Sequence, residues 1–136
     1  MAILSSTAVM VMTNSERGRA SRQKGKRGER ELAHLLTDMG FPCKRAQQYC
    51  GGASSADILG LDGVHPECKF VERLNVVEAY EQAVRDSAGT TDMPVVFHRR
   101  SRKPFLVTMG LEDWCKLYRA YLEVLSDEKK NPQADC

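Results

Sequence analysis

The sequence predicts an α/β fold in which a mixed central β-sheet of about five strands is flanked by helices, in the order α-β-β-β-α-β-β-α. Three observations indicate this fold. Apolar residues recur at helical spacing in three segments, short apolar runs typical of strands lie between these segments, and Gly-rich or strongly polar turns separate the runs. The 136 residues and 15.2 kDa of the chain are the size of a single domain.

The first half of the predicted order is one helix followed by three strands. Gly40 marks the end of the helix, because glycine is typical of a helix C-terminus. An Asp-Gly pair at 62 and 63, between two apolar runs, is typical of a β-hairpin turn. The expected elements are a helix over 28–39, a strand over 41–48, a loop around 50–55, and paired strands over 57–61 and 64–71.

The second half is predicted to be a helix, a hairpin and a final helix. Asn75 and Glu78 have the spacing of a capping box, and they precede an apolar stripe that runs from Val76 to Val84. The runs 95–98 and 105–108 are predicted strands joined by a basic turn. The last helix is amphipathic, with apolar residues at 111, 114, 118, 121, 122 and 125.

The ends of the chain are expected to lie outside the ordered domain. Residues 1–23 are rich in Ser, Arg and Gly and have no sustained periodicity, so we expect a flexible basic arm. The ordered domain is predicted over 24–125, and residues 126–136 are predicted to be a disordered tail.

The composition excludes a membrane protein and a disordered polymer. Hydrophobic residues make up 42% of the chain and charged residues 28%. No apolar run approaches the ~20 residues of a spanning helix, and no basic segment at the start indicates a secretory signal. The 5 cysteines are an odd number at irregular spacing, which favours a reduced, cytoplasmic protein over a disulfide framework.

The positive charges are clustered although the net charge is only +2. Between Arg17 and Arg30 there are seven basic residues and one acidic residue, Glu29. A second cluster lies in the predicted turn over 99–103. Two basic patches on a nearly neutral chain indicate an anionic polymer as partner. The alternative is a solvated tail and a soluble hairpin tip.

A group of charged residues is predicted to meet near the first hairpin. Glu67 and Lys69 share a face of their strand because they are two residues apart. A two-residue turn would place Asp57 and Glu67 on opposite faces, whereas an odd loop or a bulge, which Pro66 makes plausible, brings them together. Glu29 lies at the top of the apolar stripe of the first helix, where a carboxylate needs a partner. The alternative for Glu29 is a first-turn acid favoured by the helix dipole.

Converging carboxylates beside a lysine are suited to a divalent cation such as Mg²⁺ or Mn²⁺. Such a cation polarises a phosphodiester and lowers the pKa of a bound water. The alternative is an ordinary cross-strand salt bridge between Lys69 and either acid. A different alternative is a zinc site formed by Cys43, Cys50, His65 and Cys68, although their spacing is not that of a standard zinc motif. His34 and His98 are expected to be surface or packing residues, and Trp114 is expected in the core.

Taken together, these residues resemble the archaeal-type Holliday junction resolvases of the PD-(D/E)XK nuclease superfamily. Similar small proteins occur in bacteriophages, so the resemblance implies a bacteriophage or bacterial member. The resemblance covers about residues 24–110. Two features depart from the pattern, namely Ala56 in the place of a proline and Pro66 within a strand. The matching motifs are Lys24-Gly25-(x)3-Glu29-Arg30-Glu31-Leu32, Arg45, Ser54-Ser55-Ala56-Asp57 and Glu67-Cys68-Lys69.

The resemblance implies a restriction-endonuclease-like core and a role for each matching residue. Asp57, Glu67 and the backbone carbonyl of Cys68 would ligate Mg²⁺, and Mn²⁺ would substitute for it. Glu29 would hold a second metal or a water, Lys69 would position the attacking water, and Gln82 would support the site. The residues implied to contact DNA are Lys24, Lys26, Arg27, Arg30, Arg45, Ser54, Ser55, Arg99, Arg100, Arg102 and Lys103.

The resulting hypothesis is a structure-selective endonuclease that resolves four-way DNA junctions and leaves 5′-phosphate and 3′-hydroxyl ends. Because one site cuts one strand, a homodimer is expected, in the cytoplasm of a prokaryotic or phage-infected cell. The last helix, with Trp114, Tyr118 and Tyr121, is a candidate for the dimer interface, or alternatively packs on its own sheet. The alternative functions are a related nuclease acting on other branched, flap or duplex DNA, and a catalytically silent DNA-binding protein.

Overall fold

The computed structural model describes residues 10–47 and 56–132. Its helices and strands follow the predicted order α-β-β-β-α-β-β-α, which is consistent with a restriction-endonuclease-like core. Ser54, Ser55 and Cys50 lie outside the described residues. The elements are α1 (Asn14–Asp38), β1 (Lys44–Arg45), β2 (Ile58–Leu59), β3 (Val64–Phe70), α2 (Val76–Asp86), β4 (Met93–Arg99), β5 (Leu106–Met109) and α3 (Leu111–Lys130).

The five strands form two sheets rather than one. A 3-stranded sheet has the order β3-β4-β5, with β3 parallel to β4 and β4 antiparallel to β5, and β1 pairs with β2 in a 2-stranded sheet. The predicted ladder between β2 and β3 is reduced to isolated backbone bonds, such as that from Asp57 N–H to the Pro66 carbonyl. The reason is Gly60, whose φ of +119° bends the chain and whose close approach to the Pro42 carbonyl leaves no room for a side chain.

Helix α1 begins at Asn14, so the expectation of a flexible arm up to residue 23 is wrong for residues 14–23. Thr13 caps the helix, because its hydroxyl accepts a hydrogen bond from the Glu16 N–H at 3.2 Å while the Glu16 carboxylate accepts one from the Thr13 N–H at 2.7 Å. This reciprocal capping box satisfies amide groups that helix termini otherwise leave unpaired. Residues 1–9 lie outside the described part of the chain.

The core lies on both faces of the β3–β4 pair. On one face Leu32 and Ala33 of α1 pack with Val95 and Phe97, and on the other face Ala79 and Ala83 of α2 pack with Val96. The alternation along β4 is that of a strand covered on both sides. Residues of β3 therefore face either α1 or α2, and the edge of β3 that β4 does not occupy is open to side chains from both helices.

Helix α3 is not buried against the sheet. This differs from the alternative prediction, in which the last helix packs on its own sheet. None of its residues, all of which are described, is buried, and Trp114 is 48% exposed, so the expectation of a core tryptophan is wrong. The helix also continues to Lys130, past the predicted boundary at 125. Within the described residues, no helix has the length and apolar character that crossing a membrane requires.

Candidate active site

The predicted site residues meet in an open cleft of about 580 Å³ along the edge of β3. Helix α1 contributes Glu29, the segment before β2 contributes Asp57, and α2 contributes Gln82. Strand β3 contributes Glu67 and Lys69. Five side chains from four parts of the chain thus face one cleft.

Asp57 and Glu67 meet because the turn between them is irregular. The Val64 N–H donates to the Leu61 carbonyl, as in a tight turn, whereas the Asp57 N–H donates to the Pro66 carbonyl at 3.2 Å. Four residue steps therefore separate Asp57 from Leu61, but only two separate Val64 from Pro66. The extra residues form the bulge that was predicted from the sequence as a condition for Asp57 and Glu67 to converge. Pro66, which has no N–H to donate, is tolerated because β3 is at the edge of its sheet.

The Asp57 carboxyl is buried and close to a second carboxylate. Burial, followed by the negative charge of Glu67, raises the pKa of Asp57 to about 7. A hydrogen bond from the Cys68 N–H to Asp57 Oδ2, at 2.8 Å, acts in the opposite direction. Asp57 and Glu67 are only 9% and 5% exposed, so little water compensates their charges. A cation bound between them would supply that compensation.

Lys69 is held between an acid and an amide. Its Nζ lies 3.0 Å from Glu67 Oε1 and donates a hydrogen bond to Gln82 Oε1 at 3.2 Å. The ion pair between Lys69 and Glu67 is one that the salt-bridge alternative predicted. It joins two residues of the same strand, however, and not residues of neighbouring strands. Two fixed partners leave the ammonium at a defined place in the cleft, beside both carboxylates.

Glu29 is paired with Arg45 across the cleft. Arg45 Nε donates a hydrogen bond to Glu29 Oε2, and the two side chains are 22% and 17% exposed. Because α1 begins at Asn14, Glu29 lies in the middle of the helix and the first-turn interpretation is wrong. The guanidinium of Arg45, which the resemblance assigns to DNA, is instead engaged with this carboxylate.

Several other predicted DNA-contacting cations have partners within the protein. Lys24 pairs with Glu72 at 2.9 Å, and Arg99 pairs with Glu31 at 2.8 Å. The Phe70 ring lies under both cations, with Lys24 Nζ 4.7 Å and the Arg99 guanidinium 4.3 Å from its centroid. These pairs attach the basic part of α1 to the segment after β3 and to the end of β4.

The remaining predicted cations line grooves around the cleft. Lys26 faces the cleft itself and also, with Arg27 and Arg30, a groove along α1. Arg100 and Lys103 line a further groove of about 520 Å³ between the β4–β5 turn and the segment after β3. Arg102 is exposed in the same turn with a φ of +62°.

The described cysteines do not form the zinc site considered from the sequence. Cys68 belongs to the core cluster on the α1 side, with Cys43 packed against it. His65 belongs instead to a group with Glu67 and Asp86, whose potential ligand atoms lie within 4.8 Å of one another. Asp86 was not predicted as a site residue from the sequence, and the signal available for His65 was its spacing of two residues from Glu67 on one strand.

The other two histidines have the structural surroundings that were expected. His98 Nε2 lies 2.9 Å from Thr108 Oγ1 across the β4–β5 pair, and burial lowers the pKa of His98. His34 is exposed beside Asp38, at 3.5 Å. Neither side chain belongs to the cleft.

Comparison with solved structures shows a similarity in fold to a known protein. No family model and no curated protein matches the sequence. The structure of Archaeoglobus fulgidus Hjc, a Holliday junction resolvase from an archaeal hyperthermophile, is similar to 62% of this chain and is itself covered over 76%, with 23% sequence identity and a TM-score of 0.49. That protein is of the class whose motifs this sequence resembles. The function proposed below therefore rests on the cleft residues of this chain and not on the similarity.

Proposed function

We propose that this chain is a metal-dependent endonuclease that resolves four-way DNA junctions. The observation that carries the proposal is the meeting of Asp57, Glu67 and Lys69 in one open cleft, with Gln82 behind the lysine. Carboxylates beside a fixed ammonium are suited to phosphodiester hydrolysis, in which negative charge must be neutralised and a water activated.

The donor set of the cleft fits Mg²⁺, with Mn²⁺ as a substitute. Both carboxylates are buried, and the raised pKa of Asp57 indicates negative charge that the protein alone compensates poorly. Asp57, Glu67 and the backbone carbonyl of Cys68 would hold the cation, and Glu29 would hold a second cation or a water. When bound, the cation supplies charge stabilisation at the phosphate and lowers the pKa of a water.

The protein groups have separate roles in this proposal. Lys69 orients the attacking water and stabilises charge that develops on the phosphate. Gln82 positions Lys69 through its hydrogen bond, and Arg45 holds Glu29 through their ion pair. Cleavage leaves a 5′-phosphate and a 3′-hydroxyl.

The basic residues around the cleft are proposed to bind DNA phosphates without reading base sequence. Lys26, Arg27 and Arg30 line the groove along α1, next to the cleft. Arg100, Arg102 and Lys103 belong to the β4–β5 turn, and Ser54 and Ser55 come just before Asp57 in the sequence. The paired residues Lys24, Arg45 and Arg99 keep these segments in place and contribute positive charge beside the backbone of the DNA.

A homodimer would provide the two active sites that paired cleavage of a four-way junction needs. The exposed apolar face of α3 is the surface we propose for a second copy of the chain. Trp114, Tyr118 and Tyr121 are each 45–56% exposed, and the first two rings stack with centroids 5.1 Å apart. Aromatic residues grouped on one face are typical of protein interfaces.

We place the protein in the cytoplasm, where thiols stay reduced. The described cysteines are free thiols, which is consistent with that compartment.

The test is cleavage of a synthetic four-way junction beside a linear duplex and a splayed arm of the same sequence. We expect paired symmetric nicks on the junction in Mg²⁺, and no cleavage in EDTA. Asp57→Asn should abolish cleavage, whereas Asp62→Asn, an exposed acid in the adjacent turn, should retain it. Equal cutting of all three substrates would overturn junction selectivity and keep the nuclease, and binding without cleavage in Mg²⁺ or Mn²⁺ would support the silent DNA-binding protein.

A further inference from the structure

We propose that His65, Glu67 and Asp86 form a second cation site, specific for divalent transition metal ions, next to the proposed catalytic site in the cleft that Glu67 and Asp86 both line. The potential ligand atoms of these three side chains lie within 4.8 Å of one another. The site shares Glu67 with the proposed nuclease centre, but its existence does not depend on nuclease activity.

The position of His65 is the observation that separates this group from an ordinary cluster of acids. The His65 side chain lies on β3 two residues before Glu67, and it is only 5% exposed. Its Nε2 is buried and has no hydrogen-bond partner among the described residues. Buried polar atoms of native proteins are almost always satisfied, so this nitrogen calls for a ligand that residues 10–47 and 56–132 do not supply.

The two carboxylates of the group favour a cation as that ligand. Asp86 is the last residue of α2, where the helix dipole adds negative potential, and no ion pair within the described residues neutralises it. Glu67 is 5% exposed and has Lys69 as its ion-pair partner, on Oε1. The group therefore has more negative charge than the lysine alone compensates.

The separation of the ligand atoms also favours a metal ion over a direct contact. No ion pair within 4.0 Å joins His65 to either acid in the described chain, so the imidazole is not simply bound to a carboxylate. Ligands that share one ion at about 2.1 Å lie roughly 3 to 4 Å apart, which small side-chain movements would reach here. An imidazole nitrogen with two carboxylates suits Zn²⁺, Mn²⁺ or Co²⁺ better than Mg²⁺, whose ligands are oxygen atoms.

The test is Zn²⁺ titration of protein labelled with ¹⁵N-histidine, observed by NMR without DNA. The chain has 3 histidines, so His34 and His98 are internal controls in the same spectrum. We expect one ring nitrogen of His65 to shift to the position of a metal-bound nitrogen, and the other two residues to be unaffected. An excess of Mg²⁺ should not produce this shift.

Three variants make the result specific. Asp57→Asn removes the proposed catalytic ligand and should leave the His65 signal of the bound ion in place. Asp86→Asn should weaken Zn²⁺ binding at His65 by more than about tenfold, and His65→Gln should remove it. The amide spectrum of each variant establishes that it is folded, and Asp86→Asn, at the partly exposed end of α2, tests the site even if His65→Gln does not fold.

The proposal is overturned if Zn²⁺ binds without shifting His65, or if the shift persists at unchanged affinity in folded Asp86→Asn protein. Because neither DNA nor cleavage enters the measurement, a chain that binds Zn²⁺ at His65 but cuts no junction would retain this site and lose the proposed function. A chain that cuts junctions but does not bind Zn²⁺ at His65 would retain the proposed nuclease function and lose the second site.

Discussion

Gln82 on α2 accepts a hydrogen bond from the Lys69 ammonium on β3, with 3.2 Å between Oε1 and Nζ. This contact joins a helix and a strand that are separated by the loop over 71–75. Lys69 is 27% exposed at its side chain, and without the amide its ammonium would keep Glu67 as its one partner among the described residues, together with water. Gln82 therefore helps to position the Lys69 ammonium. Because Lys69 is proposed to act in catalysis, loss of this hydrogen bond should lower the rate of cleavage.

Replacing Gln82 by alanine should lower kcat for junction cleavage while leaving KM nearly unchanged. Loss of one hydrogen bond to a charged group corresponds to about 1.5 kcal/mol, or roughly tenfold in rate. Single-turnover and steady-state kinetics distinguish the two parameters. Glu81→Ala, at the exposed neighbouring position on α2, is the matched control. A rise in KM with kcat unchanged would indicate that Gln82 contacts DNA rather than positioning the lysine.

Asp57→Asn should stabilise the metal-free protein, and the gain should depend on pH. Burial and the charge of Glu67 raise the pKa of Asp57 to about 7 in the folded state, so the folded protein binds the proton more tightly than the unfolded chain does. The stability that this proton provides is fully present below the ordinary pKa of an aspartate and is lost as the pH rises through about 7.

Thermal unfolding in EDTA checks this expectation. The melting temperature of Asp57→Asn should exceed that of the wild type by roughly 5 °C at about pH 8, and the difference should shrink towards about pH 4. Asp62→Asn, at an exposed position, should show no such trend. A gain that is the same at every pH would contradict the assignment to the Asp57 proton. Mg²⁺ should also stabilise the wild type at about pH 8, because a bound cation compensates the same charge.

Thr13→Ala should shorten α1 from its N-terminus without unfolding the domain. The substitution removes the hydroxyl that accepts the Glu16 N–H and breaks the capping box, which costs about 1 kcal/mol. Faster amide hydrogen exchange over 14–20, with unchanged protection in β3 and β4, is the expected measurement. Ser21→Ala, within the exposed part of the helix, is the control. Equal exchange in wild type and Thr13→Ala would mean that the cap does not hold this end of the helix.

Tyr118→Glu should convert a dimer into a monomer if α3 is the contact between two copies. A charge placed in an apolar interface is costly, whereas on the free helix surface it is not. Sedimentation equilibrium should give twice the 15.2 kDa chain mass for the wild type and one chain mass for the variant. Glu123→Lys, on the opposite side of the same helix, should remain dimeric. A monomeric wild type would overturn the proposed dimer, and a dimeric Tyr118→Glu protein would place its interface elsewhere.

The order of helices and strands was predictable because local sequence patterns specify it. The apolar stripe of α1, the Asn75 cap of α2 and the β4–β5 hairpin are all short-range signals, and each is found within a few residues of its predicted place. The Thr13-Glu16 capping box is an equally local signal, but the surrounding Ser, Arg and Gly residues favoured the prediction of an arm. Trp114 was misplaced for a different reason, since an amphipathic face indicates that something covers a helix but not what covers it.

The sequence by itself determined a set of candidate site residues, because Glu29, Asp57, Glu67 and Lys69 stand out by type and spacing and the family resemblance adds Gln82. Only the tertiary structure decided whether they meet. Asp57 lies beside Glu67 through the bulge at Gly60, and Asp86 reaches His65 only because α2 crosses β3. The physical reason is that side-chain convergence depends on strand register and helix packing, which arise from contacts between segments far apart in the chain.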